Sequence, residues 1–333
     1  MADRSVLIES FLNSAGWGRG DRAPLAADAS FRRYERVFDG DKRAVLMDAP
    51  PPQEDVRPFT LIARHLLALG YSPPRILAED AETGLLLLED LGDATYTQVL
   101  AADAKQETAL YALAVDVLTD LHRKPASQTI PVGLPAYDET RLIDEASLFV
   151  DWFLTADKQL RASYKSAWRD VLGPVLATPP TLVLRDYHVD NLIWLEQRDG
   201  IQTCGLLDFQ DAVAGHPAYD LMSLLEDARR DIDEALRETM LERYFTALPG
   251  LERTAFMTAF AILGAQRHAK VIGIFTRLCL RDAKPDYLVH IPRLWRLLER
   301  SLADPALAPV ADWFERHVPK ELRGVPRCPA AAK

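Results

Sequence analysis

Residues 181–220 read TLVLRDYHVDNLIWLEQRDGIQTCGLLDFQDAVAGHPAYD, and this stretch decides the fold. The apolar run Leu182-Val183-Leu184 predicts a buried strand ending at Arg185-Asp186. A second strand over residues 192–195 turns through Arg198-Asp199-Gly200 into a third over residues 203–207, which ends on Asp208. Asn191 stands five residues after Asp186, at the foot of that hairpin. Asp-x4-Asn, a hairpin and a second Asp form a layout suited to phosphoryl transfer. One carboxylate accepts or orients the proton of an attacking hydroxyl. An amide oxygen and the second carboxylate hold Mg2+ against nucleotide phosphates. Antiparallel pairing brings the two strand ends together, and with them Asn191 and Asp208. A lone Asp or Asn after a strand is more often turn chemistry, so the layout carries weight only together with its neighbours.

Those neighbours are His188, two residues after Asp186, and Gly215-His216-Pro217, which leads to Asp220. A helical pattern begins at Asp220, as it would behind an N-cap carboxylate. Read together, LRDYHVDN, LLDFQDA and GHPAYDLMS resemble the aminoglycoside phosphotransferase and choline kinase branch of the protein-kinase-like fold. The usual text of that family is close to HGDLHPGN, then IDW or IDF, then GDPxxDLA. The resemblance implies an α+β, bilobal fold, with a small antiparallel-sheet N-lobe and a larger, mainly helical C-lobe. It also implies that Asp186 is catalytic, that Asn191 and Asp208 bind Mg2+, and that His188 and Asp220 support the catalytic loop. Two departures stand out. Leu184 occupies a place usually held by His, which keeps packing and loses a polar contact. Phe209-Gln210 follows the metal-binding aspartate where Phe-Gly is usual. No long activation segment with a Pro-Glu anchor follows, which argues against a phosphorylation-controlled protein kinase.

The rest of the chain bounds these expectations. With 333 residues, two domains fit the length. A hydrophobic content of 48% and a charged content of 26% are ordinary for globular proteins. The net charge of −10 argues against a nucleic-acid partner, which calls for a basic patch or stripe. Cys204, Cys279 and Cys328 are scattered and odd in number, which fits reduced thiols in a cytoplasm better than a disulfide framework or a zinc site. Neither a signal-peptide pattern nor a membrane-spanning run is legible. The expected state is a cytoplasmic monomer.

In chain order, residues 5–15 form a short amphipathic helix. Residues 31–38 and 43–47 form a hairpin around Asp39-Gly40-Asp41, because Asp-Gly supplies the positive φ of such turns. Asp28-Ala29-Ser30 precedes it, and the resemblance implies that this small-residue loop covers ATP phosphates, with Ser30 as a contact. The family's phosphate-binding Lys is replaced by Met47. Arg32 and Arg33 are the nearby substitutes, and strand alternation points only one of them inward; Arg33 is expected in that role. The usual Lys–Glu pair therefore has no assignment, although Glu54 or Asp55 opens the helix expected over residues 56–69. Leu-Leu-Glu-Asp-Leu-Gly-Asp, residues 87–93, resembles the family's hinge, whose backbone at Glu89 and Leu91 would meet the adenine. This places a lobe boundary near Asp90, giving an N-lobe over 1–89 and a C-lobe over 90–333. Further helices are expected over residues 105–122, 142–153, 160–176 and 256–280, and one helix or a helix pair over residues 220–248. Glu226 and Arg230 read as a surface pair.

Four stretches narrow the resemblance: Asp-Ala-Ser-Phe-Arg-Arg-Tyr, Leu-Met-Asp-Ala-Pro-Pro, Asp-Phe-Gln-Asp-Ala and Gln-Arg-His-x-Lys-Val-Ile-Gly. They are similar to bacterial anomeric sugar kinases acting on N-acetylmuramate and N-acetylglucosamine in cell-wall recycling. The implied reaction takes ATP, Mg2+ and an amino sugar to the sugar 1-phosphate. Asp211, Arg267, His268 and Lys270 are the implied acceptor-site residues. Two alternatives remain open at this point: an aminoglycoside or small-alcohol kinase (choline or homoserine type), and a pseudokinase-like binding protein. A basic cluster at Arg267, His268 and Lys270 would repel a polycationic antibiotic. Intact Asp186, Asn191 and Asp208 argue against the pseudokinase.

Overall fold

The hairpin around Gly40 forms because Gly40 takes φ +60°, the left-handed backbone its turn requires. Its arms are β2 (Arg33–Asp39) and β3 (Lys42–Asp48), and β1 (Asp21–Pro24) pairs on the outer side of β2. With β4 (Ile76–Asp80) and β5 (Leu85–Glu89) they complete an antiparallel sheet in the order β1-β2-β3-β5-β4. The computed structural model describes residues 4–25 and 31–327. Among these, by packing, the chain divides into two units: Met1–Val117 with Asp186–Ala212, and Leu118–Arg185 with Val213–Lys333. The packing division thus differs from the expected boundary at 89/90. Residues 90–117 and 186–212 pack with the sheet.

In the first unit one sheet face is dry. Val37, Ala44, Leu46, Leu85 and Leu87 bury against Ile8, Phe11 and Leu12 of the helix Arg4–Ser14. Each fully buried aliphatic side chain of this kind contributes roughly 1.5–3 kcal/mol of transfer free energy. Because alternate residues face opposite sides of a strand, this core fixes the phase of the sheet. Val37 and Ala44 face the core, so their neighbours Arg36 and Val45, a cross-strand pair, face the other way. Residues 192–206 form the expected hairpin, with strands Leu192–Trp194 and Cys204–Leu206 paired antiparallel, Leu192 opposite Leu206.

The second unit is mainly helical. The helix Arg253–Asp282 is buried along most of its length and packs on Ala218–Leu225, Ile291–Leu302 and the π-helical turn Phe149–Phe153. The last of these comes close enough that a Cβ on Gly273 would lie 2.3 Å from the Leu148 carbonyl carbon, so only glycine fits there. Of the two alternatives over residues 220–248, one helix or a pair, the chain forms the pair, Ala218–Leu225 and Glu234–Ala247. Glu226, at the break, is buried and paired with Arg237 at 3.2 Å, which corrects its expected surface role with Arg230. Two short strands, Thr181–Val183 and Val213–Gly215, pair antiparallel in this unit. Cys204 is a buried free thiol, as expected, whereas Cys279 is disulfide-bonded, which corrects the expectation for that residue. No helix among the described residues is long and apolar enough to cross a membrane.

Candidate active site

Asn191 is placed by the strand it precedes. Its carbonyl accepts the Leu207 N–H at 2.9 Å, extending the hairpin ladder by one step, and this sets Asp208 beside it. The Asn191 Nδ2 then donates to the Asp208 carboxylate at 3.3 Å and to the Asp186 carbonyl at 3.0 Å. It also lies 3.4 Å from the His188 Nε2. One amide group therefore ties together the loop that carries Asp186 and the strand end that carries Asp208. The loop is fixed at other points. Tyr187 donates its hydroxyl to the Ala114 carbonyl at 2.8 Å, and Thr97 donates to the Asp190 carboxylate. His188 is buried beside Asn191.

Asp208 has φ +57°, a left-handed conformation that Asp tolerates better than most residues. Gln210 donates to its Oδ1 at 2.7 Å and so holds the carboxylate from the other side. Phe209, between them, is buried and stacks on Phe59 with ring centroids 4.9 Å apart. Gln210 thus gives a use to one departure from the family text.

Mg2+ takes few protein ligands and usually completes its octahedron with phosphate and water oxygens. Asn191, whose amide N–H groups are committed to the loop, offers its Oδ1, and Asp208 offers a carboxylate; both are hard oxygen donors. Among the described residues no cluster of three His, Cys, Asp or Glu forms a closed metal cage. The donor set therefore fits an open, phosphate-completed Mg2+ site and not a structural one.

The same unit contains a cavity of about 700 Å3. Its wall includes Tyr34, Met47 and Leu88 from the sheet, Glu89 and Leu91 from the segment after β5, and Asn191 and Asp208 from the hairpin. Glu89 donates its backbone N–H to the Arg75 carbonyl at 2.7 Å, and its carboxylate pairs with Arg198 at 2.7 Å. Arg33 is not in that wall. It lies on the Val37 side of β2 and is exposed, while Tyr34 and Arg36 face the cavity. The expected register is inverted at this point. Ser30 lies outside the described residues. Asp211 is exposed and close enough to act electrostatically on Arg32.

In the second unit Asp220 is fully buried inside the first turn of Ala218–Leu225, whose N-cap is Pro217. Its carboxylate does not cap its own helix. It accepts the backbone N–H groups of Leu184 at 2.6 Å and Arg185 at 2.9 Å. Arg185 sits at φ +73°, strained for an arginine, immediately before Asp186 in the chain. Both sides of this residue are pinned: Asp220 takes its N–H, and Arg267 donates to its carbonyl at 3.0 Å. Arg267 also lies 5.6 Å from the Tyr219 ring centre.

Lys270 donates to Glu145 at 2.8 Å, and Arg185 meets the same carboxylate at 2.5 Å. Burial works against the charge of Glu145, but Lys270 and Arg185 hold its pKa below the usual carboxylate range. Burial raises Tyr137, which donates its hydroxyl to Glu145, well above the ordinary phenol range. Sequence reasoning missed Glu145 entirely, because its partners lie 40 and 125 residues away and no local pattern marks it. His268 belongs elsewhere. It is fully buried beside Glu226, its pKa lowered by burial to about 3, so it is a neutral core residue and not an acceptor-site group. Arg267 and Lys270 are likewise engaged by backbone and carboxylate partners, so the three residues do not form one basic cluster.

An Asp-x4-Asn loop, a second aspartate brought to the asparagine by a hairpin, and a sheet-walled cavity lined by both define a kinase-like phosphotransferase. Residues 21–257 match the phosphotransferase enzyme family, and the chain belongs to it. It is 37% identical to an N-acetylmuramate/N-acetylglucosamine kinase of Caulobacter vibrioides, over 97% of this chain and 99% of that protein. A protein of the same name from Pseudomonas aeruginosa is 40% identical over 92% of each. In fold it is similar to a choline/ethanolamine kinase family protein from Mesorhizobium loti (TM-score 0.63, 17% identity, 92% of this chain and 99% of that one). It is likewise similar to the gentamicin complex of the phosphotransferase APH(2")-IIa (TM-score 0.60, 15% identity, 93% and 100%). The protein is a kinase with an α+β, bilobal kinase-like fold, as the sequence predicts.

Proposed function

We propose that the protein transfers the γ-phosphoryl group of Mg-ATP to the anomeric 1-hydroxyl of N-acetylmuramate or N-acetylglucosamine. The similarity to kinases of that name along nearly the whole chain supports the acceptor. The observation that carries the chemistry is the joining of Asp186, Asn191 and Asp208 through one amide group.

In this reading the Asp186 carboxylate accepts the proton of the sugar hydroxyl as its oxygen bonds to the γ-phosphorus. The bond between that phosphorus and the bridging oxygen of ADP breaks as it does so. Little covalent chemistry falls to the protein, and positioning supplies most of the rate. Mg2+, when bound by Asn191 and Asp208, neutralises phosphate charge. Asp220 and Arg267 hold Arg185, the residue before Asp186 in the chain. Glu89 and Leu91 line the cavity where the adenine would lie.

Such an enzyme would work as a monomer in the cytoplasm, within the recycling of cell-wall sugars. The test is an acceptor panel with Mg-ATP, product read by mass: amino sugars, aminoglycosides, choline and homoserine. Phosphorylated N-acetylmuramate or N-acetylglucosamine is the expected product. A phosphorylated aminoglycoside or amino alcohol, with both sugars untouched, would replace the acceptor assignment.

A further inference from the structure

The cavity is short of positive charge. Its wall carries five carboxylates, at Glu89, Asp90, Asp93, Asp190 and Asp208, and one cation among the described residues, Arg36. Arg36 is already engaged, with Asp90 at 2.7 Å and Asp93 at 2.8 Å. A nucleoside triphosphate adds several negative charges, more than one divalent ion offsets. Met47, which faces the cavity from β3, supplies none.

Arg32 is placed to make up the difference. It stands one residue ahead of β2 and two before Tyr34, outside the cavity wall itself; the alternation of β2 carried back by one residue puts it on the Tyr34 side, roughly 13 Å of strand from Arg36. Its Nε is 3.0 Å from the Glu54 carboxylate, with the two side chains only 13% and 12% exposed. Glu54 is itself held, accepting the Phe31 N–H at 3.2 Å just ahead of the helix Arg57–Ala68. Arg32 also neighbours Tyr34, in the cavity wall, and Asp211, three residues past Asp208. Burial opposes the charge on Arg32, but Tyr34 and Glu54, with Asp211 beyond them, raise its pKa above the ordinary arginine value. A guanidinium has five N–H donors in a planar fork and can serve several partners at once.

We propose that Arg32 and Glu54 form the phosphate clamp of this kinase, Glu54 fixing the guanidinium and Arg32 binding nucleotide phosphate oxygens in the place that Met47 leaves without charge. The proposal rests on the cavity being the nucleotide site and is independent of the sugar assignment.

The test is binding calorimetry on the full chain with Mg2+ and no sugar, using adenosine and ADP as probes. Arg32→Gln should weaken ADP binding by about 10–100-fold, the weight of one or two charge-assisted hydrogen bonds, and leave adenosine binding within about twofold. Arg32→Lys should recover part of the loss. Glu54→Gln should weaken ADP binding less than Arg32→Gln, and adding it to Arg32→Gln should cost little more, because the two act as one unit. Arg33→Gln should bind as the wild type does. Equal ADP affinity in wild type and Arg32→Gln would overturn the clamp, as would a parallel loss of adenosine, which marks a merely structural pair. A wild type that binds neither probe would overturn the cavity reading beneath it.

Discussion

Two hairpins of the same unit, one ending in Asn191 and Asp208 and the other made of β2 and β3, yield very differently to sequence reasoning. The paired strands of the first are almost wholly buried, and its polar residues stand at the strand ends and in the turn between them. A misjudged phase there would still leave Asn191 and Asp208 adjacent, because strand ends meet whichever way the side chains point. The second hairpin is half exposed, with polar residues on both faces of β2. Alternation then says that Arg32 and Arg33 face opposite ways but not which of them faces the cavity. One residue settles it: Val37, fully buried, puts odd-numbered positions of β2 against the helix Arg4–Ser14. Counting back from Val37 rather than judging the arginines by themselves would have given the right face. Chemistry at strand ends is legible from spacing, and chemistry along a strand needs an apolar anchor.

The contrast can be broken at its strong side first. Asp208→Ala should lower kcat/KM by more than about 100-fold, at least the weight of a metal's supporting shell, and should abolish the Mg2+ dependence of ATP affinity. Titrating ATP with and without Mg2+ reads this directly. Unchanged Mg2+ dependence would remove Asp208 from the metal site, however well the hairpin places it.

Asp220→Ala probes a contact that spacing alone misdescribes. Asp220 does not cap the helix it begins; it satisfies two backbone N–H groups 35 and 36 residues away. Leaving both buried donors without an acceptor should cost about 1–3 kcal/mol for each, measured by denaturant unfolding. A loss of a few tenths would mean that the loop carries itself.

The phase of β2 can be sharpened with a pair of substitutions. Val37→Asn buries a polar side chain in the dry face and should destabilise by about 1–3 kcal/mol. Phe38→Asn, next to it on the exposed face, should stay within about 0.5 kcal/mol. Reversed costs would put Arg33 back in the cavity.

The smallest expected effect is a slope. Burial depresses His122 to about 3, His216 to about 4 and His268 to about 3. Below the ordinary histidine pKa, near 6.5, the unfolded chain binds protons that the folded chain does not, so stability falls as pH drops from about 6.5 towards 4. Burial raises the Glu226 pKa, and that group contributes with the opposite sign. His268→Gln should flatten the decline of the unfolding midpoint across that window, and an unaltered slope would mean that His268 titrates alike in both states.

Residues that chain distance hides were the ones sequence reasoning could not place. Glu145 joins Lys270 across 125 positions, Arg32 joins Glu54 across 22, and Arg267 reaches the Arg185 carbonyl across 82. Each is an ion pair or hydrogen bond between elements whose packing no local pattern encodes. Elements with their own period and turn chemistry, such as the Gly40 hairpin and the helix before Gly70, were legible to within a few residues.

The central claim is that Asp186 is the group that takes the hydroxyl proton while Asn191 and Asp208 serve the nucleotide. Asp186→Asn tests it most directly, with ATP affinity and kcat measured on the same preparation. The expected result is unchanged Mg-ATP binding with kcat lowered by about 10²–10⁴-fold, the usual weight of a positioned acid or base. Turnover equal to wild type in a variant that binds Mg-ATP normally would contradict it.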